Sequence, residues 1–72
     1  MEFSASAMME LIDAVFEGRQ TANKYDVVQK AKFYPLGRDG ERAIEILPAK
    51  RYTKEQLSET LAQALIEAVQ KG

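Results

Sequence analysis

The chain has 72 residues, the size of one small domain, and a domain of that size buries only about 60% of the surface of its unfolded chain. It contains no cysteine and no histidine, which excludes a disulfide framework and the usual imidazole ligands of transition metals. With 46% hydrophobic residues and 10 basic against 11 acidic side chains, we expect one marginally stable globular domain, residues 1–72, that gains stability from association.

The first predicted element is an amphipathic helix over about residues 5–17. Its apolar residues recur at i, i+3, i+4, i+7 and i+8, namely Met8, Leu11, Ile12, Val15 and Phe16. Ser4 and Ser6 are both candidate N-caps, and Gly18 stands where a left-handed glycine commonly ends a helix. Because Met8-Met9 offers a second candidate start, residues 1–7 are a candidate flexible N-terminal extension.

The second predicted element is a β-hairpin over Tyr25–Leu47, around which we expect the rest of the chain to pack. From Tyr25 onwards the apolar period changes to two, and Asp-Gly between two such runs is a strong hairpin signal. With Asp39-Gly40 as the turn, one face of the hairpin collects four apolar side chains: Ala31, Phe33, Ile44 and Ile46.

The first strand of this predicted hairpin extends beyond the second. Pro48 ends the second strand, so residues 25–29 have no partner strand within the chain. An unpaired strand edge invites a strand from another copy, and we therefore expect a homodimer joined through Tyr25, Val27 and Gln29. The alternative is that residues 25–28 form a loop packed on the helices.

The third predicted element is a helix over Lys54–Gln70, where Thr53 and Gln56 have the spacing of a capping box. Its main apolar stripe consists of Leu57, Leu61, Ala64, Leu65 and Ala68. Further apolar residues, Ala62, Ile66 and Val69, widen this surface beyond what one small sheet covers. The extra width is either the contact with the first helix or a subunit interface, so Ile66 and Val69 are candidate interaction residues.

These elements predict an α+β domain in the order helix, β-hairpin, helix (αββα). Both helices would lie on the Phe33 and Ile46 face of a small antiparallel sheet, which a dimer would extend. The same order occurs in some small phage head-to-tail joining proteins, although beyond Asp39-Gly40 and the Thr53 cap no motif supports kinship. The sequence alone identifies no family.

Catalysis has little support in the sequence, and we expect the protein not to be an enzyme. Its serines and threonines have no histidine base, and residues 37–40 lack the ending of a phosphate-binding loop. Glu10, Asp13 and Glu17 form a row that a hard cation such as magnesium can use, but such a row is more typical of a solvated helix face. We predict no catalytic residue, no cofactor and no metal.

The basic middle of the chain suggests an alternative function, a nucleic-acid-binding regulator. Residues 24–54 carry eight basic and four acidic side chains. On the hairpin, cations would surround one aromatic ring through Lys30, Lys32, Tyr34, Arg38 and Arg42. The acidic residues of the same segment and a sequence pI of 5.4 argue against this alternative.

Our leading hypothesis is a small non-enzymatic interaction or assembly protein that acts as a homo-oligomer, of phage or mobile-element type. Its partners would be a second copy of itself and another protein, as for an inhibitor or antitoxin. No apolar run approaches the roughly 18 residues that span a bilayer, and no secretory signal is apparent. We therefore expect a cytoplasmic protein with no membrane partner.

Overall fold

The computed structural model describes residues 2–71, except for the side chain of Lys71. In this part of the chain the elements follow in the order α1 (Ala5–Val15), β1 (Thr21–Asn23), α2 (Lys24–Ala31), α3 (Arg38–Ile46), β2 (Arg51–Thr53) and α4 (Lys54–Lys71). The prediction of an α+β domain is confirmed. The elements form two units of the same order, a first unit α1–β1–α2 and a second unit α3–β2–α4.

A two-stranded antiparallel sheet joins the two units. Its three residue pairs are Thr21 with Thr53, Ala22 with Tyr52, and Asn23 with Arg51. The central pair is buried and places a methyl group opposite a phenol ring, so the small side chain leaves room for the large one. The Arg51 guanidinium also donates a hydrogen bond of 3.2 Å to the Thr21 hydroxyl of the other strand.

Each strand runs directly into a helix that begins with a capping box. The Asn23 side chain accepts from the Asp26 N–H at 2.9 Å, and the Asp26 carboxylate accepts from the Asn23 N–H at 3.1 Å. Thr53 and Gln56 make the same reciprocal pair at 3.2 and 3.0 Å, which confirms the predicted cap of α4. Because the helices start at once, the strands end after three residues.

The core lies where the two units meet. Buried apolar side chains come from every element and from the connecting segments, among them Leu11, Val15, Val27, Leu36, Ile44, Leu47, Tyr52, Leu57 and Leu61. Helices α3 and α4 pack against each other, and both include small buried residues: Gly40 and Ala43 on α3, and Ala64 and Ala68 on α4. Small residues let the two helix backbones approach closely, which fixes α3 on the longer helix.

The two outer helices agree with their predictions. In α1 the Ser4 hydroxyl accepts a hydrogen bond from the Ala7 N–H at 3.2 Å, so Ser4 is the N-cap, and the helix ends at Val15. Gly18 follows with a positive φ of 76°, in the left-handed region expected after a helix end. Helix α4 covers the predicted range and buries Leu57, Leu61, Ala64 and Ala68 of its predicted stripe, with Leu65 half-buried.

The predicted hairpin is wrong, because residues 24–31 and 38–46 are helices α2 and α3. Val27 and Ala31 fit both patterns, because they share one face of a strand and also lie one turn apart on a helix. The capping box at Asn23 favours the helix. Asp39 and Gly40, predicted as the turn, lie in the first turn of α3. Phe33 and Ile46, predicted to face the core, are 80% and 40% exposed. The helix–hairpin–helix order shared with phage joining proteins is therefore not the order of this chain.

The strand-mediated dimer loses its basis for the same reason. Residues 25–29 are helical, so they present no strand edge to another copy, and the alternative of a loop is wrong as well. Val27, predicted at the dimer contact, is fully buried in the core of its own chain. Tyr25 and Gln29 remain exposed on α2.

The N-terminal residues lie against the start of α3. Residues 2–4, within the segment considered as a flexible extension, are hydrogen-bonded to Leu36 and Asp39. Met1 lies outside the described residues. The segment that precedes α1 therefore contacts the second unit as well as the first.

Candidate interaction site

Helix α4 has two apolar stripes. The inner stripe faces the core through Leu57, Leu61, Ala64 and Ala68. Four further apolar residues recur at i, i+3, i+4 and i+7 and form what we call the outer stripe: Ala62, Leu65, Ile66 and Val69. Ile66 is 55% and Val69 is 40% exposed, so the outer stripe reaches the surface. Both residues were predicted as interaction residues from the extra apolar width of this helix.

Polar residues border the outer stripe. With 3.6 residues per turn, the far side of α4 carries Glu59, Gln63, Glu67 and Gln70, all of them exposed. An apolar strip bounded by such residues is the pattern by which one helix packs on another protein surface. The other predicted interaction residues that remain exposed, Tyr25 and Gln29, belong to α2 in the first unit.

A second surface feature is a cleft between α2 and α3, of about 280 Å³. Its lining is apolar at Val28, Ala31, Tyr34 and Ile44 and charged at Lys32, Glu41 and Glu45. Lys24 donates a hydrogen bond of 2.7 Å to the backbone carbonyl of Glu45, which connects the start of α2 to the end of α3. Sequence reasoning missed this cleft, because it treated both walls as strands.

The residues predicted to bind nucleic acid do not share one hairpin face. Lys32 and Tyr34 line the α2–α3 cleft, whereas Lys30 lines a different depression beside Arg19 and Asp26. The other two are on α3, where Arg38 lies 3.8 Å from the Glu2 carboxylate and Arg42 lies near Glu41 and Glu45. The structure therefore intersperses these cations with carboxylates and forms no β-ribbon from them.

The row of carboxylates on α1 is exposed to solvent. Asp13 makes an ion pair of 2.7 Å with Lys54 at the start of α4, and Glu10 and Glu17 lie at the same surface. Among residues 2–71, no three acidic side chains come together in a way that could hold a metal ion. The row is therefore a solvated face of α1 that makes one ion pair with α4.

Each unit has the helix–loop–helix order that is also the order of the calcium-binding EF-hand. An EF-hand loop supplies several carboxylate and carbonyl oxygens from alternating positions and ends with a bidentate glutamate. The segment between α1 and α2 contains one carboxylate, Glu17, and Asp26 in the first turn of α2 is engaged in the Asn23 cap. The segment between α3 and α4 contains none, and the corresponding place in the first turn of α4 is held by Gln56. These segments therefore lack the ligand set that calcium requires.

Tyr52 is a buried ionisable group at the centre of the sheet. Burial raises the pKa of its phenol, and the hydroxyl donates a hydrogen bond to the backbone carbonyl of Pro48. The Lys50 ammonium lies 5.4 Å from the centroid of the ring. Because the hydroxyl is already bonded and the ring is buried, Tyr52 stabilises the fold and is not accessible to a substrate.

The chain matches no protein-family model, no curated protein and no solved structure. Within residues 2–71, no helix combines the length and the apolar character that crossing a membrane needs. The fold itself defines a small α+β domain of two helix–strand–helix units joined by a three-pair sheet.

Proposed function

We propose that this protein is a small, non-enzymatic interaction module that forms a homodimer through the outer stripe of α4. The observation that supports the proposal is the second apolar stripe, of which the fold buries only Leu65 in part. The inner stripe packs α4 on the core, while Ile66 and Val69 stay exposed. An apolar helix face at the surface is typical of a protein contact.

A two-fold dimer is the simplest occupant of this surface. Such a dimer uses the same patch on both subunits, so one stripe per chain is sufficient, and two-fold dimers are the commonest oligomers. Ile66 and Val69 are already about half buried in the single chain, so completing their burial contributes about 1 kcal/mol each, and a symmetric contact counts each residue twice. A domain of this size is stabilised appreciably by such an interface.

The decisive experiment places a charge at the centre of the outer stripe. We expect the wild-type protein to sediment as a dimer at micromolar concentrations, and Ile66→Glu to sediment as a monomer. The new carboxylate would be desolvated at the interface, and dimer affinity should fall by at least about tenfold, equivalent to about 1.4 kcal/mol. Circular dichroism should show unchanged helix content, since Ile66 is exposed in the single chain.

The matched control is Gln63→Glu, which adds the same charge to an exposed position of the same helix outside the outer stripe. This variant should dimerise like the wild type. A wild-type chain that stays monomeric throughout the micromolar range would contradict self-association. An Ile66→Glu variant that dimerises as strongly as the control would show that another surface forms the dimer.

The nucleic-acid alternative is less well supported. It depended on a basic hairpin, and the four cations assigned to it now lie on α2, on α3 and in the segment after α2: Lys30, Lys32, Arg38 and Arg42. Glu2, Asp26, Glu41 and Glu45 lie among them. We therefore favour a protein partner, and the second copy first.

A further inference from the structure

Residues 2–4, which we call the strap, cross the start of α3. The Glu2 carbonyl accepts a hydrogen bond from the Asp39 N–H at 3.0 Å, and the Asp39 carboxylate accepts one from the Glu2 N–H at 3.0 Å. The Ser4 N–H donates to the Leu36 carbonyl at 3.0 Å. These three bonds connect the strap to residues that lie more than thirty positions further along the chain.

The strap supplies what the start of α3 lacks. The first backbone N–H groups of a helix have no acceptor within the helix, and a side chain at the N-cap usually provides one. The N-cap of α3 is Gly37, which has no side chain to offer. The Glu2 carbonyl takes this role for the Asp39 N–H, and the Asp39 carboxylate accepts from the Glu2 N–H in return. This reciprocal pair resembles a capping box made between distant segments.

Two glycines make room for the strap. Gly37 has a φ of 87°, and a Cβ at this residue would lie 2.6 Å from the Glu2 carbonyl oxygen. At Gly40, a Cβ would lie 3.3 Å from the Phe3 ring and 2.9 Å from the Leu36 Cβ. The backbone of the strap therefore needs glycine at residue 37, whereas at residue 40 the shortest distance is to Leu36 and the Phe3 ring is only a close neighbour.

The strap is held mainly at the surface. Glu2 is exposed, its ion pair with Arg38 is largely solvated, and Phe3 is only half-buried. Contacts of this kind open more easily than the core does. By contrast Leu36, whose carbonyl accepts from the Ser4 N–H, is almost completely buried.

We infer that the strap is a detachable clamp on α3. While it is docked, the first turn of α3 is capped and Leu36 is covered. When it detaches, Asp39 loses its acceptor, the first turn of α3 frays, and the surface between Leu36 and Gly40 opens. Helix α3 forms one wall of the α2–α3 cleft, so the state of the strap reaches that cleft. This inference is independent of the proposed dimer.

The test compares alanine at the two glycines with positive φ. Both Gly37→Ala and Gly18→Ala place alanine at a positive φ, but only the first collides with the strap, since nothing lies within 4 Å of a Cβ at Gly18. The ψ of 166° at Gly37 adds backbone strain of its own, and Phe3→Ala, which replaces no glycine, separates the collision from this strain. Amide hydrogen exchange of the full chain, followed by NMR, reports on the Ser4 and Asp39 N–H groups. We expect Gly37→Ala to speed their exchange by about tenfold and Gly18→Ala to leave it as in the wild type.

A second variant applies if Gly37→Ala does not fold. Phe3→Ala removes the half-buried ring of the strap and leaves the fully buried core side chains in place. It should speed exchange at the same two amides, while exchange in the interior of α4 stays unchanged. Protection of Ser4 and Asp39 that equals the wild type in a folded variant would overturn the clamp. Equal acceleration by Gly18→Ala would do so too, because it would indicate a general loss of stability.

Discussion

The two helix–strand–helix units share a plan but differ in how they are stabilised. Both run from a three-residue strand into a helix that starts with a capping box. The first unit then has a helix of 8 residues and a small central strand residue, Ala22, whereas the second has a helix of 18 residues and Tyr52. The common motif therefore sets the geometry, and the second unit supplies most of the buried side-chain volume at the sheet.

The second helices of the two units, α2 and α4, also differ in length, and this difference affects how far each depends on the rest of the domain. Isolated helices shorter than about 12–15 residues are marginal in water, so α2 depends on its cap and on its contacts with the rest of the domain. Helix α4 is long enough to bury four residues on the core and still present an outer stripe. We therefore expect α2 to depend on the rest of the domain more than α4 does.

The largest effect should come from truncating the ring at the centre of the sheet. Tyr52→Ala leaves a cavity where a fully buried ring packs, and we expect the free energy of unfolding to fall by about 3–5 kcal/mol in urea titrations. The corresponding change in the first unit, Ala22→Gly, should cost only about 0.5–1 kcal/mol. Equal losses at the two positions would refute the unequal roles of the two strands.

Removing the N-caps of α2 and α4 should lower the free energy of unfolding by an intermediate amount and should affect the two helices differently. Asn23→Ala and Thr53→Ala each lose a side-chain acceptor, at a cost of about 1 kcal/mol in thermal or urea unfolding. Amide exchange distinguishes them, because the short α2 should become unprotected along its whole length, whereas α4 should lose protection only in its first turn. Fraying confined to the first turn of α2 would show that the two helices are equally independent.

The smallest effect concerns the Tyr52 hydroxyl and depends on pH. Tyr52→Phe loses the hydrogen bond to Pro48, which should cost about 0.5–1.5 kcal/mol near neutral pH. Burial raises the pKa of Tyr52 in the folded state, so above pH of about 10 the unfolded chain releases this proton first and the wild type loses stability.

The difference between the wild type and Tyr52→Phe should therefore shrink as the pH rises through about 10, in urea titrations at a series of pH values. No other group differs between the two proteins, so their difference isolates the phenol. A gap that stays constant into the alkaline range would mean that the pKa of Tyr52 is the same in the folded and unfolded chains.

The sequence predicts the first and last helices correctly but assigns strands to the segments that form α2 and α3. The spacing in α1 and the Thr53 cap are local signals, and tertiary contacts agree with them. Between residues 24 and 46, apolar residues alternate and Asp39-Gly40 resembles a hairpin turn, yet α2 and α3 form and pack on α1 and α4. One local signal did favour the helix, since Asn23 and Asp26 have the spacing of a capping box.

Part of the candidate site was likewise visible in the sequence, and part was not. Ile66 and Val69 were found because an over-wide apolar stripe on a helix is visible in the sequence, and their role in a dimer stays a prediction. The α2–α3 cleft and the strap were not found. Both depend on which segments meet, and the strap joins residue 2 to residue 39 through two backbone groups of Glu2 and the N–H and carboxylate of Asp39, a pairing that no spacing in the sequence reveals.

The brevity of the sheet has a consequence for aggregation. Each outer edge offers the backbone groups of only three residues, and the helix that starts at the end of each strand prevents any lengthening. Long, flat edges act as templates for amyloid-like pairing, and residues 2–71 present almost none. In the proposed dimer, two copies would therefore contact one another through helix side chains, which are specific, rather than through peptide groups, which every chain carries.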